Sequence, residues 1–200
     1  MTPDEVSKKL GVSRETKLKL YNYLFILRKW QKSINLVASS TLENAWQRHI
    51  LDCGQLAHYL PSQTTKILDV GSGAGLPGLV LAIITGCHVD LVESDQRKAV
   101  FISKVVRELD LRAVVHNKRI EELESLNPDV ITARALAKLP KLFQLIKKQL
   151  HPNSVCLFLK GVSVDEELTN LHSYTTMRAS KYESLSCSKG VVLKFDSQSR

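Results

Sequence analysis

No apolar run longer than six residues occurs in this 200-residue chain; the longest is Leu79 to Ile84. A bilayer-spanning helix needs ~20, which argues against a membrane protein. The opening residues, MTPDEVSKKLG, lack the hydrophobic segment of a secretory signal. Cysteine is sparse and scattered: Cys53, Cys87, Cys156 and Cys187 form no CxxC pair. That spacing suggests neither a disulfide framework nor a zinc site. The six histidines show no HxxxH spacing either. The expectation is a soluble, cytoplasmic protein with free thiols and no metal.

What is present fits one ordinary domain with a small appendage. Apolar residues make up 44% and charged residues 24%, enough to bury a core and stay soluble. The net charge of +8 is unevenly spread. Residues 1–60 carry nine Lys/Arg against five acids, residues 61–176 fourteen against thirteen, and the last 24 five against two. Arg14, Lys17, Lys19, Arg28, Lys29 and Lys32 face one acid, Glu15. A basic patch beside a neutral body points to a polyanionic partner, nucleic acid first.

The apolar residues Leu18, Tyr21, Leu24, Phe25, Leu27 and Trp30 follow a helical period and predict a helix over 15–37. A second helix is expected over Thr41–Leu60, capped by Ser40 or Thr41 and closed by Pro61. From Lys66 the pattern changes. Strand-like runs KILDV (66–70), HVDLVE (88–93), AVVHN (113–117), DVITAR (129–134) and SVCLFLK (154–160) alternate with helix-like stretches Leu76–Thr85, Gln96–Leu109 and Lys138–Leu150. This order predicts a mostly parallel α/β sheet with helices on both faces. A further helix, Asp165–Leu171, and a C-terminal hairpin of strands near Tyr182–Leu185 and Val191–Phe195 complete it. The chain divides into a basic N-terminal helical extension, 1–60, and an α/β domain, 61–200.

In an open parallel sheet the ligand lies at the carboxyl ends of the strands. The loop after KILDV, GSGAGLPG, is therefore the expected site. Gly71, Gly73 and Gly75 allow sharp turns and close approach, and Pro77 suits a first helical turn. No Lys-Ser or Lys-Thr pair follows, so a P-loop is excluded. The dinucleotide pattern G-x-G-x-x-G fails from Gly71, because Leu76 holds the third glycine position, and matches from Gly73 too late after the strand. Glu93 ends the next strand, 22 residues after Gly71, where a carboxylate accepts ribose hydroxyls. This suits NAD and S-adenosylmethionine equally; an acid capping the next helix is the plainer alternative. After the third strand, Ile120 and Glu121 offer an apolar face and a polar neighbour to an adenine ring.

The motifs RKWQKSINLV (28–37), RHILDC (48–53), LDVGSGAGLPG (68–78), RIEEL (119–123) and ITARALAKL (131–139) occur in the order and spacing of one family. The chain, from about Leu18 to Phe195, resembles the RsmG family, also called glucose-inhibited division protein B. Its members are bacterial 16S ribosomal RNA guanine-N7 methyltransferases. The resemblance implies a class I methyltransferase fold with a Rossmann-like sheet. It implies S-adenosylmethionine held by Gly71, Leu76, Ile120, Glu121 and Arg134. It implies a guanine in the 530 loop of 16S RNA as target, the 30S subunit as partner, and a monomer. Ala133 stands where the family has serine, Cys53 where serine is common, and Ala74 where proline is common.

Guanine N7 carries an in-plane lone pair and no proton, so its methylation needs no general base. Alignment alone contributes ~7–11 kcal/mol. No cysteine follows a proline, as cytosine-C5 enzymes commonly require, and Asn127–Pro128 precedes the fourth strand instead of following it. Arg28, Lys29 and Lys32 are candidates for RNA phosphates, with Lys160 a further one. Arg48 and His49 are candidates for positioning base or backbone; the alternative is a structural pair of Arg48 with Asp52. Arg134 closes over the cofactor or meets RNA; its alternative is an ion pair with Asp69 or Glu93. Two other readings stand beside this one. A small-molecule methyltransferase would lack salt-sensitive RNA binding. A DNA-binding helix-turn-helix is suggested by VSKKLGVSRET (6–16), but its second helix would be too long and too apolar.

Overall fold

The computed structural model describes residues 1–169, 171 and 173–196. Helix α1, Pro3–Leu10, starts at a reciprocal cap between Thr2 and Glu5 and ends at left-handed Gly11. Ser13 caps α2, Arg14–Gln31. The helix stops six residues short of the 15–37 expectation. Its buried face also differs from the expected one: Leu20, Tyr23, Leu24, Ile26 and Leu27 point inward, while Leu18, Tyr21 and Phe25 are exposed. The segment is apolar around most of its circumference, so periodicity alone fits more than one face.

The single helix expected over Thr41–Leu60 is instead broken. A 3-10 turn at Ser39–Thr41 is followed by a π-helical turn, Trp46–Leu51, a short α3, Asp52–Gly54, and a second 3-10 turn, Gln55–Tyr59. π-helical turns are rare and concentrate where side chains must be re-aimed; this one carries Arg48 and His49.

Strands β1 (Lys66–Val70), β2 (His88–Val92), β3 (Ala113–His116), β4 (Val130–Arg134) and β5 (Val155–Lys160) are parallel. They alternate with α4 (Gly78–Thr85), α5 (Gln96–Glu108) and α6 (Leu139–Ile146). Then come α7 (Val164–Thr169), β6 (Arg178–Glu183) and β7 (Val191–Asp196). The expected helix Asp165–Leu171 includes Asn170, which lies outside the described residues. The sheet order is β3-β2-β1-β4-β5-β7-β6. β7 runs antiparallel between β5 and β6. It is the seven-strand sheet expected, with its antiparallel end, but β6 begins at Arg178, four residues before the expected Tyr182–Leu185.

The first crossovers travel from β1 to one edge, and β4 starts on the other side of β1. The order therefore reverses between β1 and β4, and a crevice opens outside their carboxyl ends. Helices cover both faces. On one, Leu20, Tyr23, Leu24, Leu27, Ile50, Leu51 and Leu56 join Ile67, Leu79, Val80 and Val89 in one apolar cluster. On the other, Phe143 meets Phe158 and Phe195 edge-on at 5.9 and 5.0 Å, and Phe158 and Phe195 lie tilted to each other at 5.8 Å. No helix among the described residues is long and apolar enough to cross a membrane.

Candidate active site

The loop after β1 turns through three left-handed glycines, Gly71 (φ 70°), Gly73 (φ 57°) and Gly75 (φ 78°). At Gly71 the need for glycine is double: a Cβ would also meet Leu136 Cδ1 at 2.6 Å. The Gly71 and Ser72 amides donate to Val92 O at 2.9 and 3.0 Å, which ties the loop to the end of β2. Asp69, at the end of β1, is wholly buried. It accepts from Gly78 N at 3.1 Å and Thr132 Oγ1 at 2.9 Å, joining β1, α4 and β4. Burial pushes its carboxyl up to about 6, against these hydrogen bonds.

Glu93 turns its carboxylate toward this loop. Oε2 accepts from Gly73 N at 2.8 Å and Oε1 from Asp95 N at 2.7 Å. The cap of α5 is Asp95, which accepts from Arg97 N and Lys98 N. Glu93 is therefore not the helix cap that the plainer sequence reading allowed.

A cavity of about 390 Å³ lies at the carboxyl ends of β1, β2, β3 and β4. Gly71, Gly73, Glu93, Ile120, Glu121 and Arg134 all line it. Gly75 and Leu76 sit in the same loop behind its wall, where their amides donate to Ser72 O at 2.7 and 2.9 Å. The wall also contains Ser94, Lys118, Arg119 and Leu136, which the sequence reading did not single out. Each follows a parallel strand directly, so the carboxyl-end rule was the available signal. A further residue missed is Tyr23: its buried hydroxyl donates to Ala74 O at 2.9 Å, pinning the glycine loop to α2.

Arg134 leaves the cavity wall to meet the broken-helix segment. Nη1 donates to Cys53 Sγ at 3.2 Å and lies 3.4 Å from Asp52 Oδ2; Nη2 is 3.3 Å from His49 Nδ1. Its carboxylate partner is thus Asp52, not Asp69 or Glu93. Asp52 forms no ion pair with Arg48 among the described residues; its other oxygen accepts from Ser186 Oγ at 2.6 Å. Burial pushes the Cys53 thiol up to about 12, so it is a neutral acceptor.

His49 is buried, and burial together with Arg134 and Arg48 lowers it to about 4. It is neutral at pH 7. Arginine only donates, so His49 Nδ1 accepts and Nε2 carries the proton. Nε2 then donates to Thr41 Oγ1 at 2.8 Å, whose hydroxyl donates to Ala38 O at 2.6 Å. His49 therefore orients Arg134, whereas neighbouring Arg48 is exposed. Arg28, Lys29 and Lys32 are exposed at the end of α2. Lys160 is held inside, with Nζ 2.6 Å from Ala137 O and 2.7 Å from Glu167 Oε2.

The GidB family profile, rRNA small subunit methyltransferase G, matches residues 16–194. A ribosomal RNA small subunit methyltransferase G of Rhodospirillum rubrum is 44% identical over 194 residues, covering 97% of this chain and 96% of that one. Its counterpart from Paramagnetospirillum magneticum is 44% identical over 200 residues, covering 100% and 98%. Among solved structures, a SAM-dependent methyltransferase from Aquifex aeolicus superposes with a TM-score of 0.60 at 16% identity, over 79% of this chain and 93% of that one. A ribosomal protein L11 methylase from Lactobacillus delbrueckii gives 0.61 at 12% identity, over 79% and 80%. The fold is that of the class I methyltransferases, and the chain belongs to the rRNA small subunit methyltransferase G family.

Proposed function

We propose that this protein transfers a methyl group from S-adenosylmethionine to N7 of a guanine in the 530 loop of 16S ribosomal RNA, on the 30S subunit. The observation that carries the reading is the convergence of Gly71, Gly73, Glu93, Ile120 and Glu121 on one cavity in a chain of this family. The residues suit the cofactor chemically. Glu93 presents carboxylate oxygens for a ribose diol, Ile120 an apolar face for adenine, and the glycines admit a ligand close to the backbone. When bound, S-adenosylmethionine supplies a methyl group on a sulfonium, which an unprotonated ring nitrogen attacks directly.

The protein's own task is then positioning. The Tyr23 hydroxyl and the Glu93 carboxylate brace the glycine loop from two sides. Asp52, Cys53 and His49 hold the Arg134 guanidinium at the cavity wall. Neutral, buried His49 has both ring nitrogens engaged within the protein, as suits a reaction that removes no proton before attack. Arg28, Lys29, Lys32 and exposed Arg48 remain the candidates for RNA phosphates. Lys160, already shared between Ala137 O and Glu167, supports a structural role better than an RNA contact.

The test is incubation with S-adenosylmethionine labelled in the methyl group and 30S subunits lacking the modification, followed by digestion of the RNA to nucleosides. The expected product is labelled 7-methylguanosine, lost on Gly73→Asp, which would put a charged side chain on a left-handed residue that lines the cavity. Label in another nucleoside would overturn the N7 assignment. No label, with cofactor binding intact, would overturn the RNA substrate.

A further inference from the structure

Helix α2 carries two apolar stripes, and the core uses one. The other comprises Leu18, Tyr21 and Phe25, at i, i+3 and i+7, which are 53%, 41% and 70% exposed. At 100° per residue, Arg14, Arg28, Lys29 and Lys32 fall on the same side of the helix axis as these three, within an arc of ~100°. All four are exposed, and none forms an ion pair among the described residues. The one acid on the helix is Glu15. The face is therefore an apolar centre with cations at both ends, spanning ~27 Å along the axis. Tyr21 is fixed from behind by the edge of the Trp46 ring, 4.7 Å away; Phe25 stands clear beyond it.

An apolar protein partner would have to cover the rings while leaving or pairing four cations. A single-stranded polyanion satisfies both at once, because bases offer flat apolar faces at the spacing of a charged backbone. We propose that this face of α2 is a docking site for unpaired RNA, with the Phe25 ring stacked on a base and Arg28, Lys29 and Lys32 on the flanking phosphates. The inference rests on the RNA substrate reading above and adds a recognition element outside the cavity. The same helix braces the glycine loop through Tyr23 on its opposite, buried face, so RNA seated on the exposed stripe rests on a helix that is fixed to the active site from behind.

The experiment uses the full chain and a fluorescein-labelled oligoribonucleotide carrying the 530-loop sequence, with affinity read by anisotropy across a salt series. Phe25→Ala and Phe25→Leu are expected to weaken binding at least ~5-fold, the loss of one stacked base, with the salt slope unchanged. Phe25→Trp, which keeps a ring, is expected to bind as well as the natural chain. Lys29→Ala is expected to shallow the log–log salt slope by ~0.7. All four variants should bind S-adenosylhomocysteine normally, since none touches the cavity. Full affinity in Phe25→Leu would overturn stacking. Normal RNA binding by Phe25→Ala, with lost methylation of 30S subunits alone, would assign the face to a ribosomal protein and overturn the proposal. Failure of the RNA substrate reading shows separately, as absence of salt-dependent binding by the natural chain.

Discussion

Glu93→Gln tests the centre of the candidate site. The Glu93 carboxylate accepts from Gly73 N at 2.8 Å and Asp95 N at 2.7 Å, one bond on each oxygen. Each oxygen keeps a further lone pair for a ribose hydroxyl. Glutamine retains one acceptor oxygen and turns an NH₂ toward the backbone N–H that lost its partner. The free protein then loses one charge-assisted bond, and the ribose loses one acceptor. A hydrogen bond to a charged group contributes ~1.5–3 kcal/mol, so the Kd for S-adenosylhomocysteine should rise ~10- to ~150-fold. Isothermal titration calorimetry measures this. For a chain of this size the melting temperature of the free protein should fall by ~2–4 °C per kcal/mol. A lower melting temperature with unchanged Kd would refute the cofactor role and leave Glu93 as a brace for the loop. A raised Kd with unchanged melting temperature would refute the hydrogen bonds described for the free protein.

Three further outcomes follow from the same geometry. Gly71→Ala forces a left-handed alanine, at ~1–2 kcal/mol, and displaces Leu136, which lines the cavity; urea denaturation should show the stability loss, and calorimetry a weaker Kd for S-adenosylhomocysteine. Lys160→Ala takes the cation from half-buried Glu167, which keeps its bonds from Leu139 N and Ser163 Oγ, and should cost ~1.5–3 kcal/mol, while the salt slope of RNA binding stays unchanged if Lys160 contacts no phosphate. Asp69 titrates at about 6 in the fold against 3.8 ordinarily. Its contribution to stability is therefore full below pH 3.8 and lost as pH rises through 6, a fall of about 3 kcal/mol at 1.36 kcal/mol per pH unit. Asp69→Asn should remove that slope from urea denaturation measured between pH 4 and 7; an unchanged slope would refute the burial argument.

What short-range chemistry controls was legible in the order of residues. The five parallel strands lie within a residue or so of their expected places, because β-branched runs bounded by turn residues fit little else. The glycine loop was legible because left-handed turns select glycine. Its place at the strand ends then located Glu93, Ile120 and Glu121 on one cavity. Which stripe of α2 enters the core was settled by packing. Leu20 and Leu24 are no more hydrophobic than Leu18 or Phe25, so the choice belongs to the surfaces of α4 and α5 against which the helix packs. The irregular course of the expected helix over Trp46–Tyr59 has the same origin: its side chains answer to distant groups, His49 to Arg134 85 residues away, and Asp52 to Ser186 134 residues away. Arg134 and Lys160 were readable as cations at strand ends, but their carboxylates were not, because a long side chain pairs with whatever acid the fold brings within ~4 Å. Separation in sequence carries no information about that.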